Sequence, residues 1–250
     1  MFLFSTDIDG TIYDGPETAA LFLQFWNRLR SWETPPLLAY NTGRSLSDTQ
    51  ALIDRTDLPE PDFIISGVGT TIYDSRRNRS LENWQEELDQ LWDFEEVKQI
   101  TLDLAPGIEM QPEECQNPFK CSWFWRDKSQ DEIGALQRSL DESGMAAQVV
   151  YSSSRDLDIL PAAANKGNAL RWLASQVGLA HDKVCVAGDS GNDASMFLVE
   201  DVYGILVSNS EEALSETLEG IDVFRSGLPC ARGVVEGLEK RIESLRIPVR

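Results

Sequence analysis

Over most of this chain, short apolar runs that stop abruptly at small or polar residues alternate with longer segments whose apolar positions recur every three or four residues. The runs at 1–6, 36–40, 63–66, 183–187, 202–207 and 222–224 have the length and continuity of buried strands. The segment 16–30 places Leu21, Phe22, Phe25, Trp26 and Leu29 on one helical face, with Pro16 near its start. Further helices are predicted from Ser45 (paired with Asp48 as in a capping box), over 165–177, from Asp193, over 211–218 and from Gly233. Strands alternating with helices predict an α/β chain with a Rossmann-like, doubly wound parallel sheet.

The middle of the chain breaks this rhythm. Arg76-Arg77-Asn78-Arg79 reads as an exposed polar connection. Beyond it the pattern predicts helices over 81–92 and 94–104, strands at 108–111 and 120–126, a helix over 129–143, and strands at 148–151 and 157–160. Residues 76–161 therefore read as an inserted α+β domain, with 1–75 and 162–250 forming the core. Trp123 and Trp125 fall on one strand face, where they either stack on a ligand ring or pack inside the insertion.

At 250 residues the chain is long enough for two small domains, and its 42% hydrophobic content is that of a globular protein. No apolar run reaches the roughly 18 residues of a membrane span. Met1-Phe-Leu-Phe is too short for a leader and runs straight to Asp7, so a cytoplasmic location without membrane attachment is expected. The four cysteines show no C-x-x-C spacing and read as free thiols. A net charge of −20 argues against nucleic acid as a partner. It also means that an anionic substrate must be met by a metal ion and a few placed cations. With one histidine, His181, a His-ligated zinc site or a Ser-His-Asp triad has little to build on.

Candidate chemistry gathers where strands end. Asp7 and Asp9 follow the first strand two residues apart, and period-two geometry directs both to one side. Paired carboxylates repel unless a metal, a proton or a transferring anion uses them. In Asn41-Thr42-Gly43-Arg44 a hydroxyl, a glycine amide and a helix amino end together suit a phosphate, although a plain helix cap reads the same way. Lys166, one of six lysines, opens a helix, where the helix dipole disfavours a cation by about 0.3–1 kcal/mol. A held anion offsets that cost; a solvated lysine is the alternative. Gly188-Asp189-Ser190-Gly191-Asn192-Asp193 adds carboxylates and an amide on a turn that local hydrogen bonding alone can also favour. An all-oxygen donor set matches Mg²⁺ and not zinc.

In this order the four motifs, Asp-x-Asp-Gly-Thr, Thr-Gly-Arg, Lys-Gly-Asn and Gly-Asp-Ser-Gly-Asn-Asp, resemble the haloacid dehalogenase superfamily, with the insertion similar to its C2-type cap. The stretches 58–70, 120–124 and 150–161 resemble, within it, the sucrose-phosphate and mannosylfructose-phosphate phosphatases. The resemblance implies a Mg²⁺-dependent phosphatase acting on a fructose-containing disaccharide phosphate, with mannosylfructose phosphate favoured. Sucrose phosphate or a broader phosphosugar range is the alternative. It implies Asp7 as nucleophile and Asp9 as acid and base. The metal would be held by Asp7, the Asp9 backbone carbonyl and Asp189, with Asp193 orienting the site. Thr42, Gly43, Lys166 and Asn192 would hold the phosphoryl group, and Lys120, Arg155, Asp156 and Asp158 would select the sugar. A non-catalytic sugar-binding domain is disfavoured because Asp7, Asp9, Lys166 and Asp189 are all present. The oligomeric state stays open, a monomer being sufficient.

Overall fold

The computed structural model describes residues 1–88, 92–152 and 154–246. The chain runs β1 (Leu3–Thr6), α1 (Pro16–Arg30), β2 (Leu37–Asn41), α2 (Leu46–Arg55), β3 (Phe63–Ser66), β4 (Thr71–Asp74) and β5 (Arg79–Ser80). It continues through α3 (Glu82–Leu88), α4 (Phe94–Leu104), β6 (Glu109–Met110), β7 (Cys121–Phe124), α5 (Gln130–Glu142), β8 (Ala147–Ser152) and β9 (Asp156–Pro161). It closes with α6 (Lys166–Gln176), β10 (Val184–Gly188), α7 (Ala194–Phe197), β11 (Tyr203–Leu206), α8 (Glu212–Thr217), β12 (Val223–Arg225) and α9 (Cys230–Arg246). Two compact units result, one of Met1–Ser80 with Lys166–Arg250, the other of Leu81–Asn165.

In the first unit eight strands lie in the order β12-β11-β10-β1-β2-β3-β4-β5. The six from β12 to β3 are parallel, and β3, β4 and β5 pair antiparallel. The predicted polar connection is thus a hairpin turn, with Arg79 in β5. Strand β1 is central because its side chains are buried on both faces, as parallel sheets covered by helices require. Phe4 packs on Phe22 and Trp26 of α1 at ring-centroid distances of 6.1 and 6.0 Å, anchoring that helix to the sheet. After β1 the chain passes to β2 on one side and after α6 to β10 on the other, so the strand order reverses at β1. Such a reversal opens a crevice at the carboxyl ends of the strands. Register puts Thr6 level with Ala187 and Tyr40, so the loops after β1, β10 and β2 emerge side by side.

The second unit has a four-stranded antiparallel sheet, β6-β7-β9-β8. Its apolar face carries Cys121, Trp123, Leu157 and Ile159, packed with Val97 of α4 and Ile133, Leu136 and Leu140 of α5. Trp123 and Trp125 are 1% and 4% exposed, so they are core residues of this unit, which settles the stacking alternative against a ligand ring. Part of the predicted 81–92 helix falls at 89–91, outside the described residues. The last helix starts at Cys230, three residues before the predicted Gly233. Among the described residues no helix is long and apolar enough to cross a membrane. The cysteines are free, three of them buried.

Gly167 lies in α6, where a Cβ would stand 2.0 Å from the Ser195 carbonyl oxygen. Gly167→Ala, a change that stabilises most helix interiors, is therefore expected to cost about 1–3 kcal/mol here, read as a lower urea midpoint. An unchanged or raised midpoint would show that α6 and α7 do not meet this closely.

Candidate active site

Asp7 is the first residue past β1. Its backbone N–H continues the ladder to the Ala187 carbonyl at 3.0 Å, and its side chain is almost wholly buried. The ammonium of Lys166, the first residue of α6, donates to Asp7 Oδ1 at 2.7 Å and to Asp193 Oδ1 at 2.6 Å. Lys166 is fully buried. Its backbone carbonyl accepts from Asn41 Nδ2 at 3.0 Å, fixing the start of α6 to the end of β2. The other Asp193 oxygen accepts from the backbone N–H groups of Asp189 and Ser190 at 2.9 and 3.0 Å. Both oxygens of Asp193 are therefore committed to protein donors, which fixes the turn that presents Asp189. Thr11 Oγ1 donates to Asp189 Oδ1 at 2.7 Å.

Asp7, Asp189 and Asp193 offer oxygens that all lie within 4.8 Å of one another. Three carboxylates face a single ammonium, so the group carries an excess of negative charge. Burial pushes the Asp7 carboxyl up to about 7 and the Asp189 carboxyl to about 6, with Asp193 adding to both. Burial works against the Lys166 cation, but Asp193 and Asp7 outweigh it and hold its ammonium above the ordinary lysine value. A cluster of oxygens that resists losing its protons, with no thiolate or imidazole among them, fits a hard divalent cation. Gly10 shapes the same spot: at φ +75° it takes a conformation that disfavours a side chain, and a Cβ there would lie 2.3 Å from Asp189 Oδ2.

The strand rule does not carry Asp9 alongside Asp7. Strand β1 ends at Thr6, and the chain turns through Gly10 before a bridge between Asp9 and Tyr13. The Asp9 side chain is 50% exposed and accepts from Arg44 Nε at 2.6 Å and Arg44 Nη2 at 2.7 Å. Each of the two carboxylates thus has its own cation. Thr42 and Gly43 lie in the turn after β2. The Thr42 hydroxyl accepts from the Arg44 N–H at 3.2 Å, and a Cβ on Gly43 would stand 4.0 Å from Asn192 Nδ2. Three of the four candidate phosphate groups, Thr42, Gly43 and Asn192, thus border one another. Ser45 caps α2 by accepting from Asp48 N–H, but the Asp48 carboxylate pairs with Arg44 and does not close a capping box.

The sugar candidates form two pairs in the second unit. Lys120 Nζ lies 3.0 Å from Asp158 Oδ1, which also accepts from Ser122 Oγ at 2.7 Å, so Asp158 is part of a network. Arg155 pairs with Asp156, which accepts from Gln111 Nε2 at 3.1 Å. Period two places Ser122, Asp156 and Asp158 on the polar face of the sheet, opposite Trp123 and Leu157. Sequence reasoning assigned nothing to Thr11, Arg44, Gln111 or Ser122. Thr11, Arg44 and Ser122 stood inside quoted stretches, whereas Gln111 and the partner of Ser122 emerge only once the strands of this sheet pair.

Because folded Asp189 holds its proton to about 6, above the usual carboxylate range, the folded chain binds more protons than the unfolded one between those values. Its contribution to stability is therefore lost as pH rises through that window. In chelator at pH 8, Asp189→Asn is expected to melt about 2–4 °C above wild type, the gap closing toward pH 5. A variant that melts below wild type at pH 8 would contradict this. An added divalent cation should raise the melting temperature of wild type only.

Comparison with known proteins supplies the family. Residues 1–240 match the model of the sucrose-6F-phosphate phosphohydrolases. The chain is 37% identical over 237 residues to mannosylfructose-phosphate phosphatase of Agrobacterium fabrum, covering 94% of this chain and 95% of that protein. It is 33% identical to sucrose-phosphatase 1 of Nicotiana tabacum across 93% of its own length, but spans only 57% of the tobacco enzyme. The structure superimposes on the sucrose-phosphatase of Synechocystis sp., solved with sucrose and phosphate, at a TM-score of 0.86 and 28% identity, over 96% of this chain and 97% of that one. A haloacid dehalogenase-like hydrolase of Bacillus subtilis shares the fold at a TM-score of 0.68 and 16% identity, over 96% of this chain and 92% of that one. The chain belongs to the sucrose-6F-phosphate phosphohydrolase family, within the haloacid dehalogenase fold, and is a phosphoric monoester hydrolase.

Proposed function

We propose that this protein hydrolyses the phosphate ester of a fructose-containing disaccharide, mannosylfructose phosphate before sucrose phosphate, through an aspartyl-phosphate on Asp7. The observation that carries the reading is the Asp7 carboxylate at the strand-end crevice, hydrogen-bonded to a buried ammonium and grouped with Asp189 and Asp193. The 37% identity to the Agrobacterium enzyme favours the first substrate. The likeness to the sucrose-bound Synechocystis structure supports the second.

An Asp7 oxygen attacks phosphorus, and the bond to the sugar oxygen breaks as Asp9 gives that oxygen a proton. Water then attacks the phosphoryl group and Asp9 takes the proton back, so one difficult displacement becomes two easier ones. An ammonium has three donors. Lys166 spends two on Asp7 and Asp193 and keeps one for a phosphoryl oxygen, beside the Thr42 hydroxyl, the Gly43 N–H and the Asn192 amide. Mg²⁺ would be held by the carboxylates of Asp7 and Asp189 and the Asp9 carbonyl, with Asp193 orienting the turn. When bound, it neutralises charge on the transferring group. The unit Leu81–Asn165 serves as the cap, with Lys120, Arg155, Asp156 and Asp158 recognising sugar hydroxyls through its polar sheet face.

Phosphate release from mannosylfructose, sucrose, trehalose and simple hexose phosphates, with and without Mg²⁺, tests the reading. The two fructose-containing disaccharides are expected to lead by at least about tenfold in kcat/KM, with turnover lost in chelator. Asp7→Asn should lower turnover by at least about 10³-fold; an active variant removes Asp7 from the mechanism. Lys120→Met should raise KM for the preferred sugar phosphate about tenfold and leave p-nitrophenyl phosphate turnover unchanged. Equal losses on both substrates would place Lys120 outside sugar recognition.

A further inference from the structure

Arg44 touches none of the groups that hold Asp7, yet it is held at several points beside the end of β2. Its backbone N–H donates to Thr42 Oγ1 at 3.2 Å and its carbonyl accepts from Gly67 N–H at 2.8 Å, so the main chain is pinned on both sides. Its guanidinium presents Nε and Nη2 as a fork to the two oxygens of Asp9, at 2.6 and 2.7 Å. The remaining nitrogen, Nη1, pairs with Asp48 in the first turn of α2. The fork therefore has its own strut: Asp48 sets the plane of the guanidinium, and the guanidinium sets the plane of the Asp9 carboxylate.

A half-exposed ion pair of this kind adds about 0–1 kcal/mol to stability, too little to account for three aligned contacts by folding alone. Orientation is a stronger reason. The Asp9 side chain is 50% exposed and, without the fork, free to turn about its own bonds. An ionised carboxylate has about four acceptor sites; a fork occupies one on each oxygen and leaves one on each open.

We propose that Arg44 is a positioning residue that fixes Asp9 to receive the proton of the attacking water in the second half-reaction. This rests on the aspartyl-phosphate reading given above. In that step the water oxygen bonds to phosphorus, and the bond from phosphorus to the Asp7 oxygen breaks with its electron pair returning to Asp7. One water proton passes to Asp9, leaving inorganic phosphate. A lysine at position 44 supplies the charge without the fork and should not replace it.

The test is rapid-quench kinetics with p-nitrophenyl phosphate, whose leaving group departs without help from an acid. Arg44→Ala should release the first equivalent of p-nitrophenol within about threefold of the wild-type rate. Steady-state turnover should fall about 10- to 100-fold, with KM not raised. Arg44→Lys should recover little of the loss, and Asp48→Asn should show a weaker form of it, about threefold. Asp9→Asn with Arg44→Ala should be no slower than Asp9→Asn alone, since one residue acts through the other. Unchanged turnover, a first equivalent slowed as much as the steady state, a raised KM at unchanged kcat, or an additive double variant would each overturn the proposal. Should Arg44→Ala fail to fold, Arg44→Lys and Asp48→Asn decide by the same criteria. Asp7→Asn separates the two levels. If that variant releases no first equivalent while Arg44→Ala turns over normally, only this inference falls; if Asp7→Asn still turns over, the underlying reading falls as well.

Discussion

A lysine ammonium with no solvent exposure, held between two aspartates, is the constraint from which the rest of the first unit follows. A buried charge is tolerated only when its partners stand at hydrogen-bond distance, and removing one partner typically costs about 3–5 kcal/mol. The partners of Lys166 come from far along the chain: Asp7 from the end of β1, Asp193 from the turn after β10. Their meeting therefore depends on the parallel pairing of β1 with β10 and on the hydrogen bond from Asn41 to the Lys166 carbonyl. The sheet positions the site, and the site in turn ties three strand ends together.

That triad is not neutral. With Asp189 included, three carboxylates surround one cation, in a chain whose net charge is already −20. Burial raises Asp7 and Asp189 because water no longer solvates their charge, and Asp193 works in the same direction. An arrangement of this kind could hold a divalent ion. Asp9 lies outside this group and is governed by Arg44 instead. Two neighbouring carboxylates thus have different surroundings: one dry and grouped with acids, the other half-exposed and clamped by a guanidinium.

The second unit solves a different problem. Its sheet has one face sealed by α4 and α5 and another lined with polar side chains bonded to one another. Lys120 and Ser122 both bond to Asp158 across β7 and β9, which holds these polar side chains to one another.

Much of this was legible in the residues. Apolar runs of four to six residues located the strands of the core, because a strand buried on both faces admits few polar side chains. The helix Pro16–Arg30 was readable from Pro16 and its apolar stripe, and the four motifs from their spacing, since turns and helix starts are local events. Less legible were the hairpin of β4 and β5, hidden by its arginines, the true start of α9, and the fate of Trp123, which alternation alone could not assign to core or ligand. Asp9 misled for a related reason: period two holds only while the strand lasts, and β1 stops at Thr6. The order of residues by itself determined the elements, the acidic character and the identity of the groups at each strand end, because those depend on neighbours within a few positions. Only the tertiary structure decided which carboxylate shares a cation with which, because that depends on register between strands about 180 residues apart in the chain and on how fully each loop is shut off from water.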